Sequence, residues 1–418
     1  MTTCFSSPPT VLKDDKPAMD LASTRPAEIK AALLTGGFDR PYAFGLAMAL
    51  ATKGVSLDVI GSDEVDSPEL HTTPRLSFLN LEGSKRDTGL AAKISRILSY
   101  YARLLGYAAT AEPRIFHILW NNKFQFLDRT LLMLYYKAHG RKIALTVHNV
   151  NAGKRDSNDS WLNRLTLRAQ YRLADHLFVH TDKMKRELHQ DFGVRERAIS
   201  VIPFGINNSV PNTDLTPAEA KHRLGIRSDE KTILFFGAIR PYKGLEYLAD
   251  AFRKVAASNA NYRLIIAGEP KKGCEKYIGD IQQGISEDPS GELVIQEIHH
   301  VPDEKTELYF KAADVLALPY THVFQSGVLF LSYSFGLPVI ATDVGSISED
   351  MIEGMTGFLC RSCDASDLAS AIEKYFGSDL FKTLSQRRQQ IRDYAEARHS
   401  WDIVGNVTRN VYAELLGQ

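Results

Sequence analysis

One pattern limits the fold of this chain more than any other. Short apolar runs alternate with longer segments of helical period, and the alternation happens twice. In the first half, Ile29–Thr35, Ser56–Ile60, Arg114–Trp120, Lys142–Val147, His176–His180 and Ile199–Ile202 read as strands. Between them a segment running through Lys53, then Leu90–Ala108, Phe124–His139 and Trp161–Leu173, read as helices, and Gly54 is a natural stop for the first. A turn-rich connection runs from Pro203 to about Asp229, with a short helix over Pro217–Leu224. The rhythm restarts at Lys231–Gly237 and continues through Tyr262–Ala267, Glu292–Gln296, Asp314–Leu318 and Pro338–Ala341. It ends in helices over Asp367–Phe376, Leu380–Ala395 and Trp401–Leu416, the last behind Ser400 as N-cap. Repeats of this kind build parallel, doubly wound sheets, so the predicted class is α/β, with two Rossmann-like domains facing a central cleft. A length of 418 residues also exceeds one ordinary core. The expected division is a disordered lead-in over 1–26, one domain over 27–203, a second over 204–395 and a closing helical segment over 396–418.

Composition removes several classes of function. Lys plus Arg equals Asp plus Glu at 50 each, which gives no electrostatic argument for nucleic acid as a partner. No run approaches the roughly eighteen apolar residues of a spanning helix, and the N-terminus lacks the apolar core of a signal peptide. The four cysteines, Cys4, Cys274, Cys360 and Cys363, are sparse enough to suit the cytoplasm. Cys360 and Cys363 have the spacing of half a zinc site, but no second pair follows, and they read as packing or surface residues. Asp63, Glu64 and Asp66 have no partner acids and read as a solvated loop. No metal and no cofactor is expected.

The chemistry concentrates between Leu318 and Glu349. A strand ends at Leu318, a loop leads to Gln325-Ser326-Gly327, a helix opens there, and another strand follows at Pro338. A helix that starts at a strand's carboxyl end leaves backbone N–H groups facing open space, a geometry that binds phosphate. Gly237, Arg240 and Lys243 occupy the turn after the first strand of the second half. Two cations there would neutralise a diphosphate and stabilise its departure. On the other half, Gly36-Gly37 sits at a strand-to-helix turn with Asp39 and Arg40, and His148 and Asn149 end another strand.

Gly36-Gly37, Val201-Ile202-Pro203-Phe204-Gly205-Ile206-Asn207, Arg240-x-x-Lys243-Gly244, Ala267-Gly268-Glu269, Ala313 to Pro319 and Gly336 to Gly345 occur in an order that resembles glycosyltransferase family 4, enzymes of the GT-B fold. The resemblance covers about residues 29–415 and is stronger in the second half. It implies a second domain that binds a nucleotide sugar, with Arg240 and Lys243 on its diphosphate, and a final helix that crosses back onto the first domain. It also implies catalysis without bound metal. The family's pattern has two glutamates separated by seven residues. Their positions hold Val323 and Leu331, neither of which accepts a hydrogen bond. Gln325-Ser326-Gly327 resembles a subset of the family with a Gln-Ser-Gly signature. Ser326, Gly327 and Val328 are then expected at the phosphates, Gln325 at the donor sugar and Glu349 at the ribose. Gly36, Gly37, Arg40 and Asn149 fall on the acceptor side.

The expected reaction is transfer of a sugar from a nucleoside diphosphate to a hydroxyl of a glycan or lipid-linked acceptor, with retention of configuration. If the reaction inverts, Asp39 and then His148 are the candidate bases. Two rival readings fit the same residues: a phosphorylase or epimerase on this fold, and a non-catalytic subunit that binds nucleotide or glycan. Lys93, Arg96, Tyr100, Arg103 and Tyr107 form one face of the Leu90–Ala108 helix, with Ile94, Ile97, Leu98, Tyr101 and Leu105 beside them. Arg164, Arg168 and Arg172 form a second stripe. Such faces suit peripheral contact with the inner side of a membrane by a cytoplasmic monomer or weak oligomer.

Overall fold

The computed structural model describes residues 28–37, 39–84, 89–122, 124–155, 159–206 and 210–418, with Arg155 described by its backbone alone. The lead-in expected over 1–26 lies outside the described residues, as do Cys4 and Asn207.

Seven parallel strands form the first sheet: β1 (Lys30–Leu34), β2 (Ser56–Gly61), β3 (Leu76–Asn80), β4 (Ile115–Ile118), β5 (Lys142–Thr146), β6 (His176–Val179) and β7 (Ile199–Val201). Six form the second: β8 (Lys231–Phe236), β9 (Tyr262–Ala267), β10 (Val294–Glu297), β11 (Val315–Leu318), β12 (Val339–Thr342) and β13 (Gly357–Cys360). Their spatial orders are 3-2-1-4-5-6-7 and 10-9-8-11-12-13. Each order reverses at the sheet's first strand, β1 against β4 and β8 against β11. A crevice opens there, at the carboxyl ends of the strands. Central strands such as β11 and β12 are buried along their whole length, because helices cover both faces of the sheet.

Three expectations need correction. Strand β3 was not foreseen. It is a half-exposed edge strand whose sequence, Leu-Ser-Phe-Leu-Asn, is neither continuous nor cleanly alternating. The helix expected over Phe124–His139 is two, Gln125–Arg129 and Leu131–Ala138. The break falls at Thr130, which leaves helical geometry with ψ −85° and turns its hydroxyl to the Phe126 carbonyl. Leu380–Ala395 likewise begins as a separate turn, Asp379–Lys382, before resuming as Leu384–His399.

The final helix, Trp401–Leu416, leaves the second domain and lies against the helix Arg40–Thr52 of the first. Val404, Val411 and Tyr412 are buried in the first domain's core. Tyr412 Oη lies 2.7 Å from His117 Nδ1 of β4, and Lys53 pairs with Asp402. Trp401 donates its indole N–H to the Ile206 carbonyl at 2.8 Å, which ties the helix to the connection between the sheets. Its ring fits only because its neighbours lack side chains. A Cβ on Gly45 would stand 2.1 Å from the indole, and one on Gly205 would stand 2.4 Å from it. The two domains also touch directly, through Thr181 Oγ1 and Ser346 Oγ at 3.0 Å and through Lys183 Nζ on the Gly345 carbonyl at 2.6 Å.

This packing makes a specific stability prediction. Gly45→Ala should cost about 1–3 kcal/mol, the range for forcing a methyl into a filled core. Thermal unfolding will show it. Combining Gly45→Ala with Trp401→Leu should cost less than the sum of the single losses, because the second change removes the atoms that the methyl strikes.

Candidate active site

A cleft of about 280 Å³ opens between the sheets, and all parts of the chain contribute to it. Asp39, Pro41 and Tyr42 come from the start of the first helix. Phe204 and Gly205 come from the connection. Tyr242, Lys243, Tyr320, Val323, Leu331 and the run Gln325–Val328 come from the second domain, and Trp401 comes from the returning helix.

The second-domain wall is built around Lys243. Its residue is buried, and its ammonium lies 5.6 Å from the centre of the Tyr320 ring. Tyr320 Oη in turn lies 3.0 Å from Ser326 Oγ. The Cβ position of Gly237 falls 3.2 Å from Lys243 Nζ and 3.5 Å from Val328 Cγ2, so cation and helix start are neighbours. The turn holding Lys243 is pressed against the loop after β11: Thr321 N–H donates to the Tyr242 carbonyl at 2.8 Å. Gly244, with φ 65°, stands where any Cβ would fall 2.0 Å from the Pro319 carbonyl oxygen. Arg240 is half-buried in the same turn. Neither cation has a carboxylate within ion-pair distance among the described residues. Burial first, then Arg240 and Lys271, push the Lys243 pKa down from 10.5 to about 8.

Across from this pair, the helix Gly327–Ser334 starts with Ser326 as N-cap. The Ser326 hydroxyl is turned to Tyr320 and makes no capping bond, so the first backbone N–H groups of the helix take no side-chain cap. Gln325 donates its Nε2 to Asp350 Oδ2 at 2.8 Å, while its Oε1 is buried without a partner. Asp350 is itself buried, with His399 Nε2 3.7 Å from its other oxygen. Burial pushes its pKa up to about 6, against the Gln325 amide that pulls it down. Val323 and Leu331 line the cleft with aliphatic side chains.

The structure brings together Gly237, Arg240, Lys243, Gln325, Ser326, Gly327 and Val328. It does not bring all the other expected residues to them. Glu349 is exposed on the turn Ile347–Asp350 and does not line the cleft, and the carboxylate that the turn buries is its neighbour Asp350. Arg40 is exposed at the first position of its helix. Gly36 and Gly37 adopt φ of 61° and 69° against Trp120 and Glu82, a backbone constraint away from the cleft lining. Asp39 is at the cleft but also caps the first helix, where its carboxylate accepts the Tyr42 N–H at 3.3 Å. It keeps solvent exposure, yet the crowded mouth of the cleft raises its pKa.

His148 is set apart from the cleft by Tyr42. Its ring stacks on Trp120 at 4.2 Å, meets the Tyr42 ring edge-on at 4.8 Å, and places Nδ1 3.0 Å from His180 Nε2. Burial, then His180 and His117, hold its pKa well below the ordinary value, so the imidazole is neutral. With Asn149 it lines a second cavity of about 330 Å³, whose walls include Asn121, Asn122, Arg129 and Gln170. Tyr42, Tyr320, Asp350 and Trp401 are site residues that sequence reasoning missed. Tyr42 and Trp401 lay at helix starts already singled out. Nothing in their spacing showed that their rings meet.

The chain matches two family models, one described as Glycosyltransferase Family 4 over residues 41–210 and one as Glycosyl transferases group 1 over residues 230–377. A D-inositol 3-phosphate glycosyltransferase of Corynebacterium aurimucosum is 24% identical over 96% of each chain. Its Mycobacterium tuberculosis counterpart is 24% identical over 90% of this chain and 78% of its own. Among solved structures, a sucrose-phosphate synthase of Thermosynechococcus elongatus superposes with a TM-score of 0.73 at 20% identity, covering 93% of this chain and 99% of that one. An Anabaena protein in complex with UDP and glucose superposes at 0.72 with 15% identity, covering 93% and 100%. Both superpositions span the two sheets and the cleft between them. The chain belongs to glycosyltransferase family 4, group 1, and is a glycosyltransferase of the GT-B fold.

Proposed function

We propose that the protein transfers a sugar from a nucleoside diphosphate to a hydroxyl of a glycan or lipid-linked acceptor, with retention of configuration and without a metal ion. The observation that carries this reading is the unpaired cation couple, Arg240 and Lys243, beside the start of the helix Gly327–Ser334. One buried and one half-buried positive group, with a set of open backbone N–H groups, suit a diphosphate in both charge and geometry. They would bind the leaving group more tightly as its charge develops, which lowers the barrier. The UDP complex of the Anabaena structure agrees with a uridine nucleotide as donor, and the inositol phosphate relatives agree with a polar acceptor. The cavity at His148 and Asn149, with its amides and Arg129, suits recognition of such an acceptor. Retention is favoured because Asp39 is the one carboxyl residue among those lining the cleft, and its carboxylate already serves as a helix cap. A donor phosphate oxygen then takes the acceptor's proton. Domain closure over the cleft would keep water out.

Three measurements bear on this reading. Arg240→Ala and Lys243→Ala should each lower kcat by roughly 10²–10³, the cost of losing a charged donor aimed at the leaving group. Wild-type rates in both variants overturn the assignment. Asp39→Asn preserves the cap, since Asn caps a helix as well as Asp. Under retention it should lose less than about tenfold, whereas a general base would lose about 10²–10⁴, and the anomeric configuration of the product by NMR decides the same question.

The third concerns pH. Folded Lys243 holds its proton only below about 8, while the unfolded chain holds it to 10.5. Between those values the unfolded state binds more protons, so stability rises with pH, and the cost of the buried ammonium is fully present below pH 8. Lys243→Met should therefore stabilise the protein at pH 7 by up to about 3 kcal/mol and flatten its stability between pH 8 and 10.5. A diphosphate beside the ammonium would raise its pKa. UDP binding at pH 9 should then take up a proton in wild type but not in Lys243→Met, as read by calorimetry in buffers of different ionisation enthalpy.

A further inference from the structure

The N-terminal domain carries an apolar surface that its own core does not use. Of the twelve large apolar side chains exposed among the described residues, eleven lie between Leu90 and Leu165. They sit on neighbouring elements that cover one side of the first sheet. Leu90, Ile94 and Leu98 follow one face of the helix Leu90–Thr110, and Leu90 and Leu98 are 75% and 64% exposed. Tyr101 of that helix stacks on Phe124 at 5.8 Å, and Tyr135 Oη reaches the Leu105 carbonyl at 3.2 Å, which brings in the pair of helices Gln125–Arg129 and Leu131–Ala138. Arg129 Nη1 donates to Asn163 Oδ1 at 2.8 Å, which brings in the helix Trp161–Leu173, opening on Trp161 at 76% exposure. The exposed apolar groups therefore sit on elements packed side by side, and not on distant parts of the molecule.

The basic and aromatic stripe expected on the Leu90–Ala108 segment is corrected here. Tyr100 and Tyr107 turn inward, with hydroxyls 2.6 Å from Asn122 Oδ1 and Asp58 Oδ2, and Arg96 lies 3.8 Å from Glu82. Lys93 and Arg103 of that stripe stay exposed, beside the outward aliphatic side chains Leu90, Ile94 and Leu98.

Charge identifies the occupant. The whole chain is neutral, but residues 89–173 hold fourteen Lys and Arg against four Asp and Glu. Arg164, Arg168 and Arg172 stand exposed at spacings of four on the helix that carries Trp161 and Leu165. A second copy of this chain would bring the same positive face against itself about a two-fold axis, which like charges oppose. An anionic lipid surface meets both requirements, apolar insertion and positive rim. No helix among the described residues is long and apolar enough to cross a membrane, so the element lies on the surface.

We infer that the outer face of residues 90–165 is a docking surface for an anionic lipid membrane. Helices in such a sheet run back from the carboxyl ends of the strands, so Leu90 and Trp161 lie toward the edge where the cleft opens. The surface would thus hold the acceptor side of the enzyme near the lipid headgroups. The inference rests on the proposed transfer reaction only for that orientation.

Vesicle flotation tests it with the full-length protein. Wild type should float with vesicles of phosphatidylcholine and phosphatidylglycerol, not with phosphatidylcholine alone, and should dissociate as salt rises. Changing Arg164, Arg168 and Arg172 to Gln should weaken binding roughly a hundredfold, about fivefold per charge near an anionic surface. Trp161→Ser with Leu165→Ser should abolish it at every salt concentration. Both variants place polar side chains at exposed positions, and unchanged circular dichroism and UDP binding will show that they fold. Absence of flotation at low salt overturns the inference, and so does light scattering that finds a wild-type dimer and monomeric variants. Wild type that floats but binds none of UDP, GDP and ADP overturns the proposed function and leaves the docking surface standing.

Discussion

An ammonium with no carboxylate partner among the described residues lies at the centre of this structure. Lys243 is buried against Tyr320, and its neighbours Arg240 and Lys271 add to its cost rather than relieve it. A buried, uncompensated charge is held only where the surrounding structure leaves it no alternative. Here the constraint is visible. The turn after β8 is bonded to the loop after β11 through Tyr242 and Thr321, and Gly244 permits an approach to Pro319 that no side chain would allow. The same loop then delivers Ser326 and Gly327. Cation and helix start are thus held by one rigid unit of the second domain, and the fold pays in stability for a site that waits for an anion.

The relation between the two sheets follows from a second constraint. The chain leaves the first domain at β7, returns at Trp401, and both passages meet at one aromatic cluster. Phe204 stacks on Phe330 at 5.3 Å, Tyr42 contacts Phe204 and Trp401, and His399 lies 4.6 Å from Phe330. Rings in edge and stacked contact are stiff and large, so a few of them fix the approach of two domains over a small area. Tyr42 belongs to this cluster and to the cleft wall at once. A change in how the domains sit would therefore move the wall that faces the donor.

Much of this was legible because βα repeats place every strand-to-helix turn on one edge. That rule was enough to bring Gly237, Arg240, Lys243 and the Ser326–Gly327 helix start together from residues nearly a hundred positions apart. Side-chain direction was not legible in the same way. His148 ends its strand at the correct edge, yet Tyr42 stands between it and the cleft. Glu349 and Asp350 differ by one position in a tight turn, and only the fold decides which of them points inward. Tyr100 and Tyr107 satisfy an amphipathic pattern in either orientation, because a tyrosine presents an apolar body and a polar tip. Their hydroxyls found Asn122 and Asp58, and the aliphatic side chains were left outside.

Asp350 also changes what Gln325 can do. An amide offers two donors and one acceptor, and a neighbour that fixes one end fixes the other. An ionised carboxylate only accepts, so at neutral pH Asp350 requires the Gln325 Nε2 to point toward it, as it does at 2.8 Å. Oε1 is then left as the free end, buried and unpaired beside the cleft. A buried acceptor without a donor costs free energy until a ligand hydroxyl satisfies it. With Val323 and Leu331 unable to accept a hydrogen bond, that oxygen is the side-chain acceptor the loop presents, so discrimination among donor sugars would turn on whether a hydroxyl reaches it. Sites that require a hydrogen bond reject analogues lacking the group far better than apolar pockets reject extra bulk. The loss of two carboxylates at Val323 and Leu331 thus does not empty the site of polarity. It shifts recognition onto one oriented amide, held from behind by a residue that never touches the ligand.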